Sequence, residues 1–270
     1  MNRKKKNIFV FGLDRIQEVP GNEDNLWRIN NYFPKYANRV EKPEKSDLIL
    51  VIGGDGAMLQ AIRGLRKYNK PFCGLNFGHL GFLMNEPDQA TLTLNHICDD
   101  LTETIAVRLL KGVQTLSNGT TKISYAFNDF VIERTKPQTA KIGVTVDGNT
   151  YFSPLTCDGL IVSSSAGSTS YNAAAGGVVV PIGIDSLVLT GICPAVFENW
   201  RSSLLSQNSL IELCPAETEK RPVRFLADGR KLLNGRTLVV SLSDQIVRLV
   251  FLRNQNFKSK VLNLQFHRRK

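Results

Sequence analysis

An aspartate set among glycines is the first place in this chain where residue types and spacing point to chemistry. Asp55 lies in the turn Gly53-Gly54-Asp55-Gly56. Without Cβ atoms, the three glycines can take φ > 0 and let the backbone touch a ligand. N–H groups at a turn that opens a helix suit a phosphate. A carboxylate beside a phosphate is repelled by it. Asp55 therefore makes better sense as a base, or as a ligand for a hydroxyl or a metal ion. The same four residues also occur in plain turns. No Lys-Ser/Thr follows, so this is not a Walker loop, and it is not G-x-G-x-x-G either.

Chemistry-bearing residues recur downstream. Asn128-Asp129 follows a predicted strand, Ile123 to Phe127, and such a pair is ordinarily a turn former. Asp158-Gly159 leads into the apolar run 160–162 and then into Ser163-Ser164-Ser165-Ala166-Gly167-Ser168-Thr169-Ser170-Tyr171-Asn172-Ala173-Ala174. Small residues let a planar ligand lie against backbone. Hydroxyls and N–H groups at a helix start can pair with ribose and base edges. A Ser-rich linker before a helix would read the same way. Ala227-Asp228-Gly229-Arg230 places a guanidinium just past another strand.

The elements that must position these residues fall into two textures. Leu48 to Ile52 is a run of five apolar residues, read as a strand buried on both faces. From Ala57 to Tyr68 the pattern is helical, with Met58, Leu59, Ile62 and Leu65 on one face. Ile8 to Leu13 and Phe72 to Leu75 are further short strands, and Asn25 to Tyr36 is a helix broken at Pro34. Strand, crossover helix and strand make a βαβ unit with its ligand at the carboxyl ends of the strands. That puts Gly53–Gly56 and the second glycine cluster, Asn76 to Gly81, on one rim. Met84 to Leu101 reads as a loop and an acidic helix. Beyond Glu103, short alternating strands and turn signals dominate, including the hairpin signal Asp147-Gly148 and, near the end, the separate strands Arg236 to Leu242 and Ile246 to Phe251. The expected division is residues 1–102 as an α/β domain with a parallel sheet, 103–252 as a β-rich domain, and 253–270 as a C-terminal segment.

Composition narrows the class. The 270 residues are 42% apolar, enough for a core, and carry a net charge of +10, part of it in the tails Arg3–Lys6 and His267–Lys270. Aromatic residues do not alternate with the basic ones as on a strand-stacking surface, so nucleic acid is not an expected partner. An anionic nucleotide explains a positive field equally well. No window reaches the ~18 apolar residues of a membrane span. The basic N-terminus runs straight into a strand rather than a signal-peptide core, so a cytoplasmic protein without membrane contact is expected. Cysteines 73, 98, 157, 193 and 214 form no CxxC and suggest neither zinc nor disulfides. Most are expected to be buried.

The turn at Asp55 and the run Asn76-Phe77-Gly78-His79-Leu80-Gly81-Phe82-Leu83 together resemble the NAD kinase family, which carries Gly-Gly-Asp-Gly and then Asn-x-Gly-x-Leu-Gly-Phe-Leu. The resemblance extends from about residue 8 to about residue 230. It implies a Rossmann-like α/β domain of the superfamily shared with diacylglycerol kinases, plus a β-rich NAD-binding domain. It also implies transfer of a phosphoryl group from ATP to the adenosine-ribose 2′-hydroxyl of NAD, giving NADP and ADP. Asp55 would be general base and orienter. Gly53, Gly54, Gly56, Phe82, Asn128, Asp129, Asp158, Thr169, Ser170, Tyr171, Asn172, Ala173, Ala174 and Arg230 would hold nucleotide. Magnesium or another divalent ion would come with ATP, and no protein metal site is expected. Family members are homo-oligomers, so a homodimer or homotetramer is implied, as is a C-terminal segment packed back on the first domain.

This chain departs from the family pattern at several points. Asp129 stands where the family has Glu, and its reach is shorter by ~1.5 Å. Ser164-Ser165-Ala166 replaces Thr-Pro-Thr, Ser170 replaces Ala, and Arg230 replaces an amide. Pro194-Ala195 lacks a histidine often found there. Two rival readings follow: a lipid kinase of the same superfamily, against which the Asn76–Leu83 run argues, and a non-catalytic dinucleotide sensor.

Overall fold

Five apolar side chains in succession at Leu48–Ile52 have nowhere to go but inward on both faces of a sheet. The computed structural model describes residues 5–14, 37–77, 81–86, 102–195 and 200–252. In it, β1 (Lys6–Phe11), β2 (Ala37–Arg39), β3 (Leu48–Gly53) and β4 (Phe72–Asn76) run parallel in the order β2-β1-β3-β4. Helix α1 (Asp55–Leu65) crosses from β3 to β4 and buries Ala57, Met58, Ala61 and Ile62. One further turn of 3-10 helix, Arg66–Tyr68, ends at Asn69 in the left-handed region. Ile8, Leu50, Ile52, Cys73 and Leu75 form the core of this unit. The expected helix at 25–36, most of the segment 84–101 and the chain end 253–270 lie outside the described residues.

The chain divides into two units. The first comprises the described parts of Met1–Ala106 with Val247–Lys270, and the second is Val107–Ile246. Val247–Leu252 reaches the first unit because Leu249 and Val250 pair with Phe72 and Cys73 of β4. Asn85 stitches this join. Its buried Nδ2 donates to Gly74 O and Val250 O, and its Oδ1 accepts from Leu252 N. Arg248 donates to Asn69 O and Oδ1 at the helix end.

The second unit is β-rich. Its strands are β5 (Thr102–Leu116), β6 (Thr121–Ala126), β7 (Asp129–Arg134), β8 (Ala140–Val146), β9 (Asn149–Cys157) and β10 (Gly159–Ser163), then the one-turn helix α2 (Tyr171–Ala174). There follow β11 (Ser186–Ile192), β12 (Ser202–Ser206), β13 (Ile211–Ala216), β14 (Val223–Ala227), β15 (Arg230–Lys231) and β16 (Gly235–Leu252). One antiparallel sheet has the order β12-β11-β10-β7-β14-β15. In the other, β13 lies between β16 and β8, β8 pairs with β9, and β5 with β6. Phe130, Ile132, Leu160, Val162, Leu187 and Phe225 of the first sheet share a core with Ile142, Val144, Leu213 and Leu238 of the second. Each such side chain contributes about 1.5–3 kcal/mol on burial.

Two expectations change. Residues 236–242 and 246–251 read as two strands around Ser243-Asp244, yet β16 is continuous. Arg108 meets the polar groups that a turn would have met, donating from Nε to Ser243 O at 2.8 Å and from Nη2 to Asp244 Oδ1 at 3.4 Å. Of the cysteines, Cys73 and Cys157 are buried, but Cys193 and Cys214 are exposed. Cys193 sits at positive φ where β11 ends, and Cys214 alternates outward on β13. Among the described residues no helix is long and apolar enough to cross a membrane.

Candidate active site

In the first unit β3 stops at Gly53, whose φ of 144° and 2.7 Å gap from an added Cβ to Ala57 admit only glycine comfortably. Gly54 is the N-cap of α1 and Asp55 its first residue, half-buried, with Gly56 exposed beside it. The Asp55 carboxylate accepts two backbone hydrogen bonds, Phe82 N to Oδ2 and Leu83 N to Oδ1, each at 2.9 Å. Phe77 N donates to Gly53 O at 2.8 Å. The two glycine-containing stretches are thus joined directly, and Phe82 belongs to the site through its main chain. A carboxylate oxygen accommodates two acceptor contacts. The N–H bonds fix the plane of this carboxylate at the start of a helix.

The second unit assembles its own cluster. Asn128 and Asp129 stand where β7 begins, both buried. Ser163, the last residue of β10, pairs with Asp129. Asn128 Nδ2 donates to Ser170 Oγ at 3.2 Å, while its buried Oδ1 has no partner among the described residues. The Asp129 carboxyl is pushed up to about 7, first by burial and then by the nearby Asp228 carboxylate. The serine run is largely internal wiring. Ser164 Oγ donates to Phe127 O at 2.6 Å, and Ser164 N and Ser163 Oγ donate to Asn128 O at 2.9 and 3.3 Å. Ser168 Oγ is engaged with Ser165 O, Val180 O and Val180 N.

The remaining predicted residues separate by role. Thr169 Oγ1 donates to Ala166 O at 3.4 Å. Tyr171 is exposed and its hydroxyl donates to Glu133 Oε2 at 3.4 Å. Burial and then the Glu133 charge push its phenol up. Arg224 anchors Glu133 at 2.6 Å. Asn172 is fully buried, and its amide is spent on Ser168 O, Val178 O and Thr190 Oγ1, which holds α2 against β11. Ala173 is half-buried and Ala174 exposed. Arg230 is exposed on β15.

Asp158 is not brought to Asn128 and Asp129. It forms an ion pair with Arg134, whose Nη2 donates to Oδ2 at 3.2 Å. Arg134 and Asp129 are the two ends of the six-residue β7. At ~3.4 Å per residue those ends are roughly 17 Å apart. Arg134 and Glu133 drew no attention in the sequence, and Asp228 only as part of the stretch Ala227–Arg230 that resembles the family's Asp-Gly-Gln, because their partners lie 24 to 101 residues away. Asp228-Gly229 is also a hairpin-turn dipeptide.

A family model described as the ATP-NAD kinase N-terminal domain matches residues 11–102, and one described as the ATP-NAD kinase C-terminal domain matches residues 127–250. The chain belongs to the NAD kinase family. Its similarity to the NAD kinase of Rickettsia akari (strain Hartford) is 35% identity over 226 residues, 83% of this chain and 88% of that one. To the NAD kinase of Brucella suis biovar 1 it is 33% over 230 residues, 83% and 86% of the two chains. Its fold is similar to that of an NAD kinase from Archaeoglobus fulgidus in complex with ATP, with TM-score 0.74, 22% identity, and 95% and 97% of the chains covered. Against yeast NADH kinase complexed with NADH the TM-score is 0.77 at 19% identity, covering 100% of this chain and 90% of the other.

Proposed function

We propose that this member of the NAD kinase family phosphorylates the adenosine-ribose 2′-hydroxyl of NAD with ATP, giving NADP and ADP. The observation that carries this reading is the Asp55 carboxylate, locked by Phe82 N and Leu83 N at the glycine turn that opens α1. The solved neighbours hold ATP in one case and NADH in the other, and both ligand classes are carried over to this chain.

The ribose hydroxyl oxygen attacks the γ-phosphorus, the bond from that phosphorus to the ADP oxygen breaks, and the hydroxyl proton passes to Asp55. Phosphoryl transfer runs through a loose transition state in which positioning and charge stabilisation matter most. A carboxylate whose plane is fixed by two N–H donors supplies the positioning. Gly53, Gly54 and Gly56 supply close backbone approach.

Among the described residues there is no group of three His, Cys, Asp or Glu that could hold a metal. Magnesium or another divalent ion would come with ATP, held chiefly through the phosphates rather than by a dedicated protein site. The ion when bound would neutralise donor-phosphate charge together with the N–H groups of the glycine turn, which leaves Asp55 to take the proton.

For the dinucleotide, the unpartnered Asn128 Oδ1 is an acceptor for an amine such as the adenine 6-amino group. Asp129 and the Ser170 hydroxyl, which accepts from Asn128 Nδ2, face ribose. Thr169, Tyr171, Ala173 and Ala174 line the nucleotide by backbone and ring contacts, and Asn172 holds α2 in place rather than touching ligand. Asp158, tied to Arg134 at the far end of β7, is available to a second copy of the chain. A cytoplasmic homodimer or homotetramer belongs to the same proposal, as do a Rossmann-like first domain akin to diacylglycerol kinases and a division near residues 102 and 252.

A coupled assay for NADP formed from NAD and ATP tests the function. Turnover with NAD and none with diacylglycerol is expected. NAD binding without turnover would replace this reading with a dinucleotide sensor.

A further inference from the structure

The hairpin β14–β15 is too short to contribute much as sheet. β15 has two residues, and Ala227 pairs with Arg230 across the turn Asp228-Gly229. Both turn residues have positive φ, 46° at Asp228 and 71° at Gly229. This is the type I′ pattern, in which the first position suits Asn, Asp or Gly. Asp228 uses that geometry to turn its carboxylate back onto the chain 100 residues earlier. Oδ2 accepts from Phe127 N at 2.9 Å, and Oδ1 accepts from Asn128 N at 2.7 Å and Asp129 N at 3.4 Å. Its own N–H donates to Asp129 O at 3.0 Å.

Those amides belong to the segment that leaves β6 and enters β7, where ladder partners run out. The carbonyl side of the same segment is held by Ser163 and Ser164, which donate to Phe127 O and Asn128 O. The Asn128-Asp129 main chain is therefore gripped from both sides through peptide groups alone. Neither grip uses the Asn128 Oδ1 acceptor, which is buried without a partner among the described residues. The arrangement carries an electrostatic cost, because Asp228 is one of the causes that push the Asp129 carboxyl up. A neutral turn residue would avoid that cost and would give up the charge-assisted hydrogen bonds.

We propose that Asp228 is a positioning residue of the dinucleotide site: its carboxylate sets the main chain that aims the Asn128 and Asp129 side chains at the nucleoside. The proposal rests on the NAD kinase reading for its ligand, and on the hydrogen bonds alone for its mechanics. Asp228 has no part in the transfer itself on this reading, because its carboxylate is turned onto main-chain amides. Its loss acts through Asn128 and Asp129, so binding suffers more than chemistry.

Two variants keep the turn and remove the grip. Asp228→Asn suits positive φ and retains one acceptor, and Asp228→Gly suits it better still and retains none. In both, the KM for NAD should rise by roughly ten- to a hundred-fold, the range for losing a hydrogen bond to a charged group. The KM for ATP and kcat should stay within about threefold, the split expected when binding alone is impaired. In ligand-free protein, amide hydrogen exchange at Phe127, Asn128 and Asp129 should quicken at least tenfold relative to the amides of β10 and β11. Losses confined to kcat, or unchanged exchange at those amides, would overturn the proposal. If wild type forms no NADP at all, the kinase reading fails by itself, and amide exchange still decides whether Asp228 holds the segment.

Discussion

Gly167 stands against the main chain of Asn128 so closely that a Cβ at Gly167 would lie 2.2 Å from the Asn128 carbonyl oxygen, 2.5 Å from its carbon and 2.6 Å from its Cα. All three atoms are backbone, so nothing can swing aside. The serine-rich loop after β10 therefore depends on glycine for its approach to the nucleoside-facing segment. Gly167→Ala should cost about 1–3 kcal/mol of stability, as overpacking does, and should raise the KM for NAD by displacing Asn128. Denaturant unfolding and steady-state kinetics check both. An alanine variant with wild-type stability and KM would show that the loop has slack.

In the proposed mechanism Asp55 carries the chemical step. Asp55→Asn keeps the shape, loses the proton acceptor, and turns an amide N–H₂ toward either Phe82 N or Leu83 N. Turnover should fall by ~10²–10⁴, the range for removing acid–base help. Equilibrium binding of NAD should change little. Near-normal kcat would remove Asp55 from the mechanism.

Asp129 should make stability depend on pH in an uncommon direction. Its carboxyl sits near 3.8 when exposed and about 7 in the fold, through burial first and Asp228 second. The folded protein thus holds the proton more tightly than the unfolded chain. This contribution is fully present below pH ~4 and is lost as pH rises through about 7. Asp129→Asn cannot ionise, so its stability relative to wild type should improve between pH 5 and pH 8. Melting both proteins across that window measures it, and a constant difference would refute the shift. The companion change, Asp129→Glu, restores the family's longer acid and should lower the KM for NAD.

Arg230 stands where the family carries an amide, exposed on β15. NADP bears about two more negative charges than NAD, so a guanidinium facing the ligand favours product. Arg230→Gln should weaken inhibition by NADP several-fold, with the larger effect at low salt, where an exposed charge is least screened. NADP inhibition constants at two ionic strengths measure it. Equal constants for wild type and variant would place Arg230 away from the ligand.

Local pattern alone specified much of this protein. The apolar run Leu48–Ile52 followed by glycines determined strand, turn and helix, because burial on both faces and freedom from Cβ are properties of the residues themselves. Asp147-Gly148 likewise determined its hairpin, with φ of 51° and 81°. The family motifs marked Asp55, Asn128 and Asp129 as candidate residues. Tertiary structure decided what those residues can use. It spent the Asn172 amide inside the core, tied Asp158 to Arg134, and left Asn128 Oδ1 without a partner among the described residues. It also folded the Asp228 carboxylate onto Phe127 N and Asn128 N, and let Arg108 hold Ser243-Asp244 extended where composition favours a turn. Periodicity tells a side chain which way to face. A hydrogen bond across 100 residues depends instead on which strands become neighbours and in what register, and that is fixed only when the whole core closes.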